Sequence, residues 1–413
     1  MSGFLHRFSK YSIFLTFFLD NLGLGIIFPI FTPLFFDPKS HFFKDSYSFS
    51  HGSILLGLLI AAFPLAQFFG APLIGDLSDQ IGRKKGFILT IIGSTVGYIL
   101  MGVGLEMHLL HLLFLSRMLT GFFAGNLTIC LASLVDMSKD ESERTKNFSL
   151  LASIGGLSFI FSVAIGGFFS NPAVGKIFTP SLPFWIIAAL FFINLCLLMT
   201  FFKESHRVPK SSHFHLLKGI HNILHAWKIP HLKLAYMVFF FYMIAWVTTV
   251  QFLPTYLMKY YGITPEQITY IFLGIGVIWG GANFLFSKCL SKILAPKQTL
   301  LVCLCLLSIF LALFLPDQSL PAFLFHFYFS VALSAVTWSN CLANVSLQTD
   351  VDIQGRILGI NQSFAALASM LGPTLGGLIT AFDPRLVYLF TTLSCAVAFI
   401  MIAIPTFRKK AAG

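Results

Sequence analysis

Two charged residues lie deep inside otherwise apolar sequence, and they are the first candidates for chemistry. Asp20 is a lone carboxylate about nine residues into the first long apolar stretch, or ~13 Å from its near end at the helical rise of 1.5 Å per residue. A charge facing lipid at that depth costs about 3 kcal/mol or more, so the carboxylate must face a cavity, meet a cation or hold a proton. The other charge at comparable depth is Arg117 in the fourth apolar stretch, about 12 Å from its outer end by the same rise. An arginine side chain spans the difference in depth. The two form either a proton- or substrate-handling site, in which Asp20 loads and releases protons and Arg117 modulates it, or a structural ion pair.

A second set is polar and lies between apolar stretches. The run from Gly75 through Asp79, Gly82 and Arg83 to Lys85 is a short charged hinge, and Asp136 closes the fourth stretch. A third set lies on the tenth stretch, where His326, Ser330, Ser334, Thr337, Cys341 and Asn344 recur at steps of three and four. At 100° per residue these positions share one helix face, and polar groups in a membrane helix need water, substrate or another helix. Tyr242, Trp246 and Gln251 on the seventh stretch, with Asn21 beside Asp20, complete a candidate cavity of aromatic and neutral polar groups. Such a lining suits an amphiphilic organic molecule better than a polyanion, which would want several buried Arg or Lys. Within it His326 is read as a hydrogen-bond partner.

Other chemistry finds little support. The seven cysteines sit in or at the ends of apolar stretches, with no disulfide framework and no zinc spacing. His221 and His225 have i,i+4 spacing but no acid or Cys close by in their segment, so no metal site is assigned and no cofactor is expected. There is no phosphate loop and no H-E-x-x-H. Any uphill work must draw on ion or solute gradients, and the chain is not expected to be an enzyme.

The elements that must position these residues are membrane helices. Of 413 residues, 56% are hydrophobic and 10% charged, against about 25% charged in an average soluble domain. Stretches long enough to cross a bilayer fall at about 12–36, 52–74, 87–106, 109–135, 146–170, 182–202, 232–257, 266–287, 298–315, 320–347, 356–381 and 386–407. The expected fold class is therefore an all-α membrane protein with twelve transmembrane helices, and the bilayer is its first partner.

The net charge of +11 marks topology rather than a nucleic-acid partner. Most of the Lys and Arg fall at the two ends and in alternate loops, whereas Lys39, Lys44, Lys176, Lys259 and Arg385 lie in the remaining loops. Both termini are thus expected in the cytoplasm, of a multi-pass protein of the inner or plasma membrane. The polar interval between spans six and seven separates an N-terminal bundle at 1–203 from a C-terminal bundle at 231–413, through a linker at 204–230. In that linker Phe214, Leu217, Ile220, Leu224 and Trp227 predict an amphipathic helix on the membrane surface. A repeat supports the two halves: Phe161 to Phe168 aligns with Leu371 to Leu378, each following a turn with an arginine, Arg144 or Arg356.

The hinge resembles the G-x-L-x-D-x-x-G-R signature of the major facilitator superfamily. Asp20 to Pro29 resembles the first span of its tetracycline and multidrug proton antiporters, and Phe114 to Gly125, with Arg117, resembles their fourth-span motif. The resemblance implies the major facilitator fold of two six-helix bundles, with first and fourth helices side by side and Asp20 and Arg117 in reach. It also implies a cytoplasmic gate in which Asp79, Arg83 and Asp136 latch the halves, helped by the positive end of a helix starting near Arg356. Two departures stand out: Pro33 follows Pro29 by four residues, and Ser162-Val163 occupy the fifth span where the antiporter motif has glycine and proline. The expected function is proton-coupled efflux of small drug-like or amphiphilic molecules by a monomer. The alternative is a metabolite facilitator or symporter for an amino acid, nucleoside or siderophore, and a third reading is a membrane sensor or enzyme that keeps the fold without transport.

Overall fold

The computed structural model describes residues 2–38, 40, 42, 48–138, 140–204, 224, 230–290, 293–316, 319–346 and 354–411. Among them the chain is helical throughout: α1 (Ser2–Gly25), α2 (Phe28–Phe36), α3 (Phe49–Ile81), α4 (Arg83–Glu106), α5 (Leu110–Phe123), α6 (Asn126–Met137), α7 (Glu141–Phe169) and α8 (Leu182–Phe201), then α9 (Pro230–Tyr261), α10 (Pro265–Leu290), α11 (Pro296–Ala312), α12 (Leu320–Ser346), α13 (Gln354–Thr380) and α14 (Pro384–Ala411). Each of the twelve expected spans falls on a helix, or on a helix pair in the case of α1 with α2 and α5 with α6. Nine spans among the described residues are long and apolar enough to cross a membrane. The amphipathic helix expected between Ser212 and Trp227 lies outside the described residues, Leu224 excepted.

The chain divides into two compact units. One comprises Met1–Lys44, Ala62–Lys218 and Pro265–Phe272, the other Asp45–Ala61, Gly219–Thr264 and Leu273–Gly413. The divisions therefore run through α3 and α10. In the first unit α1 packs on α6, α7 and α8, while α4 packs on α5, α6 and α8; in the second, α9 is central, packed on α12, α13 and α14.

Two helix breaks place the candidate residues of the first unit. α1 ends at Gly25, and α2 opens with Pro29 in its first turn, where a missing N–H is tolerated. The second proline, Pro33, sits inside α2, and its carbonyl accepts from Asp37 N at the helix end, so the break precedes both prolines.

The break between α5 and α6 has no proline. Ala124 N donates back to Gly121 O at 3.1 Å in a tightened last turn, and the Gln67 amide donates to the freed Ala124 carbonyl at 3.3 Å. Close crossings hold this break in place. A side chain at Gly70 would drive into the Phe122 carbonyl, and one at Gly121 into the Phe63 carbonyl, so α3 and α5 meet backbone to backbone.

The second unit has its own close crossing, where a Cβ on Gly377 would come within 2.9 Å of Gly57 Cα. At the end of α9, Tyr260 Oη donates to Asp383 Oδ1 at 2.5 Å and Arg385 N donates to the same oxygen at 2.7 Å. Partial burial works to raise the Asp383 carboxyl, but these two donors and the charges of Lys259 and Arg385 outweigh it, holding the group below the usual carboxylate range. A depressed carboxylate contributes stability that is complete above its unfolded pKa, about 3.9, and lost as pH falls through the folded value. Thermal unfolding of wild type and Asp383→Asn is therefore expected to differ by a constant margin from pH 8 to about 5. The margin should close only as the solution becomes more acid than about 4.

Candidate functional site

The break at Gly125 brings Asn126, the first residue of α6, against α1. Its Nδ2 donates to Asp20 Oδ1 at 2.9 Å, and the Thr90 hydroxyl on α4 lies 2.5 Å from its Oδ1. Asn126 and Thr90 are fully buried, whereas Asp20 keeps partial exposure. The carboxylate is thus held by a buried amide, on a residue that keeps partial exposure. A hydroxyl on Ser162 of α7 donates to the Leu22 carbonyl two residues further along α1, and Asn194 on α8 donates to Thr16 at 2.9 Å one turn before.

Arg117 is close to this group without pairing with it. Its guanidinium lies over the rings of Phe63, at 4.6 Å, and Phe31, at 5.8 Å, and its Nε has no hydrogen-bond partner. Ion pairs among the described residues are Lys10 with Glu143 and Arg83 with Asp79 and Asp136. The alternative of a structural Asp20–Arg117 ion pair is not formed: the aromatic faces of α2 and α3 take the guanidinium instead. Tyr98 of α4 is within electrostatic reach of both charges. Its hydroxyl fills the space left by Gly23, and its ring stacks on Phe191 at 5.4 Å.

The hinge set is assembled on one end of the same unit. Arg83 is buried; its guanidinium pairs with Asp79, reaches Asp136 Oδ2 from Nε at 3.3 Å and donates to Ser78 Oγ at 2.9 Å, and Ser78 in turn donates to the Gly75 carbonyl. Gly82 has φ of 97°, a left-handed conformation that lets the chain turn directly into α4. Arg356 is the third residue of α13, and its side chain lies outside the described residues.

One further member of this set, Glu204, is not apparent from the motif. Its carboxylate accepts from Arg83 N at 2.9 Å and Lys84 N at 3.1 Å, capping the start of α4 from the end of α8. Gly82 supplies no side-chain cap, so a carboxylate from elsewhere serves the exposed N–H groups. Glu204→Ala is expected to lower thermal stability by about 1 kcal/mol, the usual worth of an N-cap, as read by unfolding of the purified protein in detergent.

The tenth-span stripe is mostly internal to the second unit. Ser330, Ser334, Thr337 and Cys341 on α12 are buried. Ser330 and Thr337 donate to the carbonyls one turn back, and Tyr242 Oη lies 2.7 Å from Ser334 Oγ and 2.8 Å from its carbonyl. The face that the periodicity identifies is turned onto neighbouring helices, including α9. His326 and Asn344, near its two ends, keep partial exposure, with His326 edge-on to Phe310.

The structure assembles a different polar aromatic group nearby. Trp246 stacks on Trp279 of α10 at 5.5 Å. With its nitrogen toward α12, the Asn283 amide accepts from Trp279 Nε1 at 3.2 Å and donates to Ala335 O at 3.1 Å and Ser339 Oγ at 2.6 Å. Gln251 is partly exposed, and its Oε1 has no partner. Asn21 donates to the Phe17 carbonyl at 2.8 Å and stays partly exposed beside Asp20. No group of three or more potential metal ligands occurs among the described residues.

With this geometry in view, the chain can be set beside known proteins. It matches the model of the family described as Major Facilitator Superfamily over residues 13–315 and 283–412. It is 30% identical over 187 residues to the class B tetracycline resistance protein of Escherichia coli, a match spanning 45% of this chain and 42% of that one. The match to the quinolone resistance protein NorA of Staphylococcus aureus (strain MRSA252) is 24% identical and spans 96% of this chain and 97% of that one. Among solved structures, a D-xylose–proton symporter superposes with a TM-score of 0.75 at 15% identity, over 95% of this chain and 96% of that one.

Proposed function

The chain belongs to the Major Facilitator Superfamily, and on that premise we propose that this membrane transporter exports small, amphiphilic organic molecules in exchange for protons. Asp20 carries the proton. The observation that supports this most is its setting: a carboxylate deep in a span, on a residue that keeps partial exposure, held by the neutral Asn126 amide with no ion pair to fix its charge. Such a group can change protonation without breaking a salt bridge. Tetracycline and quinolone resistance proteins among its relatives support a drug-like substrate, as do the partly exposed Trp279, Gln251 and Asn21.

In this proposal the bundles at 1–203 and 231–413 exchange access to the two sides, and the Arg83 group is the part of the cytoplasmic gate that releases and re-forms. The protein works as a monomer in the plasma membrane with both termini inside. Ser162, in place of the antiporter motif's usual residues, favours the second reading, a metabolite facilitator or symporter. Proteoliposomes under an imposed proton gradient decide between them. Counterflow of lipophilic cations or tetracycline-like compounds against protons supports export. Movement of a metabolite with the proton, or without regard to it, overturns it.

A further inference from the structure

The Thr90 hydroxyl has one hydrogen and three acceptors in reach: Asn126 Oδ1 at 2.5 Å, the Phe87 carbonyl at 2.9 Å and the Gly86 carbonyl at 3.2 Å. Only one of them can receive it at a time. Asn126 is likewise two-faced, a donor at Nδ2 and an acceptor at Oδ1, and both residues are fully buried, so water cannot substitute for a missing partner. We propose that Asn126 and Thr90 form a reversible amide switch that satisfies Asp20 in both of its protonation states. This inference rests on the proposed proton role of Asp20.

The donors balance in each state. With Asp20 charged, Asn126 Nδ2 donates to the carboxylate and Thr90 donates to Asn126 Oδ1, the arrangement present in the structure. When a proton arrives at Asp20, the acid gains an O–H donor. The amide then turns end for end: Asp20 donates to Asn126 Oδ1, Asn126 Nδ2 donates to Thr90 Oγ1, and the Thr90 hydrogen swings to the Phe87 carbonyl. One proton has entered, no other bond to hydrogen has broken, and the interior donors again meet acceptors. Protonation on α1 is thereby reported to α4 and α6, which is the coupling an exchanger needs.

The titratable and charged groups around Asp20 are Tyr98 on α4, Cys130 on α6 and, in reach of Tyr98, Arg117 on α5. From α7 and α8 the neighbouring polar residues are Ser162 and Asn194, which do not titrate. The switch is thus the hydrogen-bonded route by which the Asp20 proton is felt by α4 and α6.

The test is infrared difference spectroscopy between high and low pH on the reconstituted full chain, with asparagine isotope-labelled at its side-chain carbonyl. The expected result is a protonated-carboxyl band that disappears in Asp20→Asn, accompanied by a label-sensitive amide band that disappears in Asn126→Leu. Thr90→Val should lose that amide response and run proton-coupled transport roughly tenfold slower, the effect of one buried hydrogen bond left unmade, while Thr90→Ser should keep both. A carboxyl band from Asp20 with no label-sensitive change overturns the switch and leaves the proton site standing. Absence of any Asp20 carboxyl band overturns both. If Asn126→Leu does not fold, the contrast between Thr90→Val and Thr90→Ser decides.

Discussion

Asp20→Asn is expected to abolish proton-driven accumulation while leaving the protein folded and able to bind its substrate. The side chain keeps its shape and can still meet Asn126, so the helix contacts around it survive. What is lost is the only charge that can be neutralised at this depth on α1. A proton moving down 100 mV yields about 2.3 kcal/mol, and one pH unit adds about 1.4. A tightly coupled carrier therefore sustains a substrate gradient of roughly several hundredfold. In the variant that ratio should fall to about one, with exchange down a substrate gradient persisting, because the neutral amide mimics the protonated acid but cannot release a proton. Proteoliposome accumulation, with equilibrium substrate exchange as the control, measures both. Retained uphill transport in Asp20→Asn would sink the proton assignment.

The residues on which this rests differ in how far the sequence reveals them. Asp20 is legible because a lone carboxylate in apolar sequence has few explanations, and twelve spans are legible because the bilayer demands long apolar helices. Asn126 is not. A neutral amide is common enough in a membrane helix, and its reach to Asp20 depends on the α5 to α6 break, which has no proline to announce it. The break comes instead from close crossings at Gly70 and Gly121, which depend on tertiary packing.

That Arg117 lies near Asp20 without an ion pair was not legible for a related reason: depth along a helix says nothing of azimuth, and the aromatic rings of Phe31 and Phe63 compete for the guanidinium. On α12 the periodicity correctly groups Ser330, Ser334 and Thr337. It cannot say that their hydroxyls are satisfied by backbone carbonyls and Tyr242 rather than by a cavity. Glu204 carried a weak signal, a carboxylate at a span end on the same side as a helix whose start has no capping side chain.

Arg83 should be the least replaceable residue of the proposed gate. Its planar fork serves three partners at once, Asp79, Asp136 and Ser78, from a buried position. An ammonium on a flexible stem can hold one of these well but cannot reproduce the fork. Arg83→Ala leaves Asp79 and Asp136 without their shared cation, and because both carboxylates keep solvent exposure the expected cost is about 1.5–3 kcal/mol, that of losing hydrogen bonds to charged groups. Transport is therefore expected to fall by about one to two orders of magnitude, since about 1.4 kcal/mol is tenfold, and Arg83→Lys is expected to recover little of it.

The double variants separate gating from folding. If the loss in Arg83→Ala comes from unpaired acids, adding Asp79→Asn and Asp136→Asn should restore thermal stability by relieving their repulsion, yet leave transport low because the latch itself is gone. A merely structural Arg83 would predict recovery of both together. Thermal unfolding beside initial transport rates, across the single, double and triple variants, gives the coupling energies directly, and parallel recovery would refute a gating role.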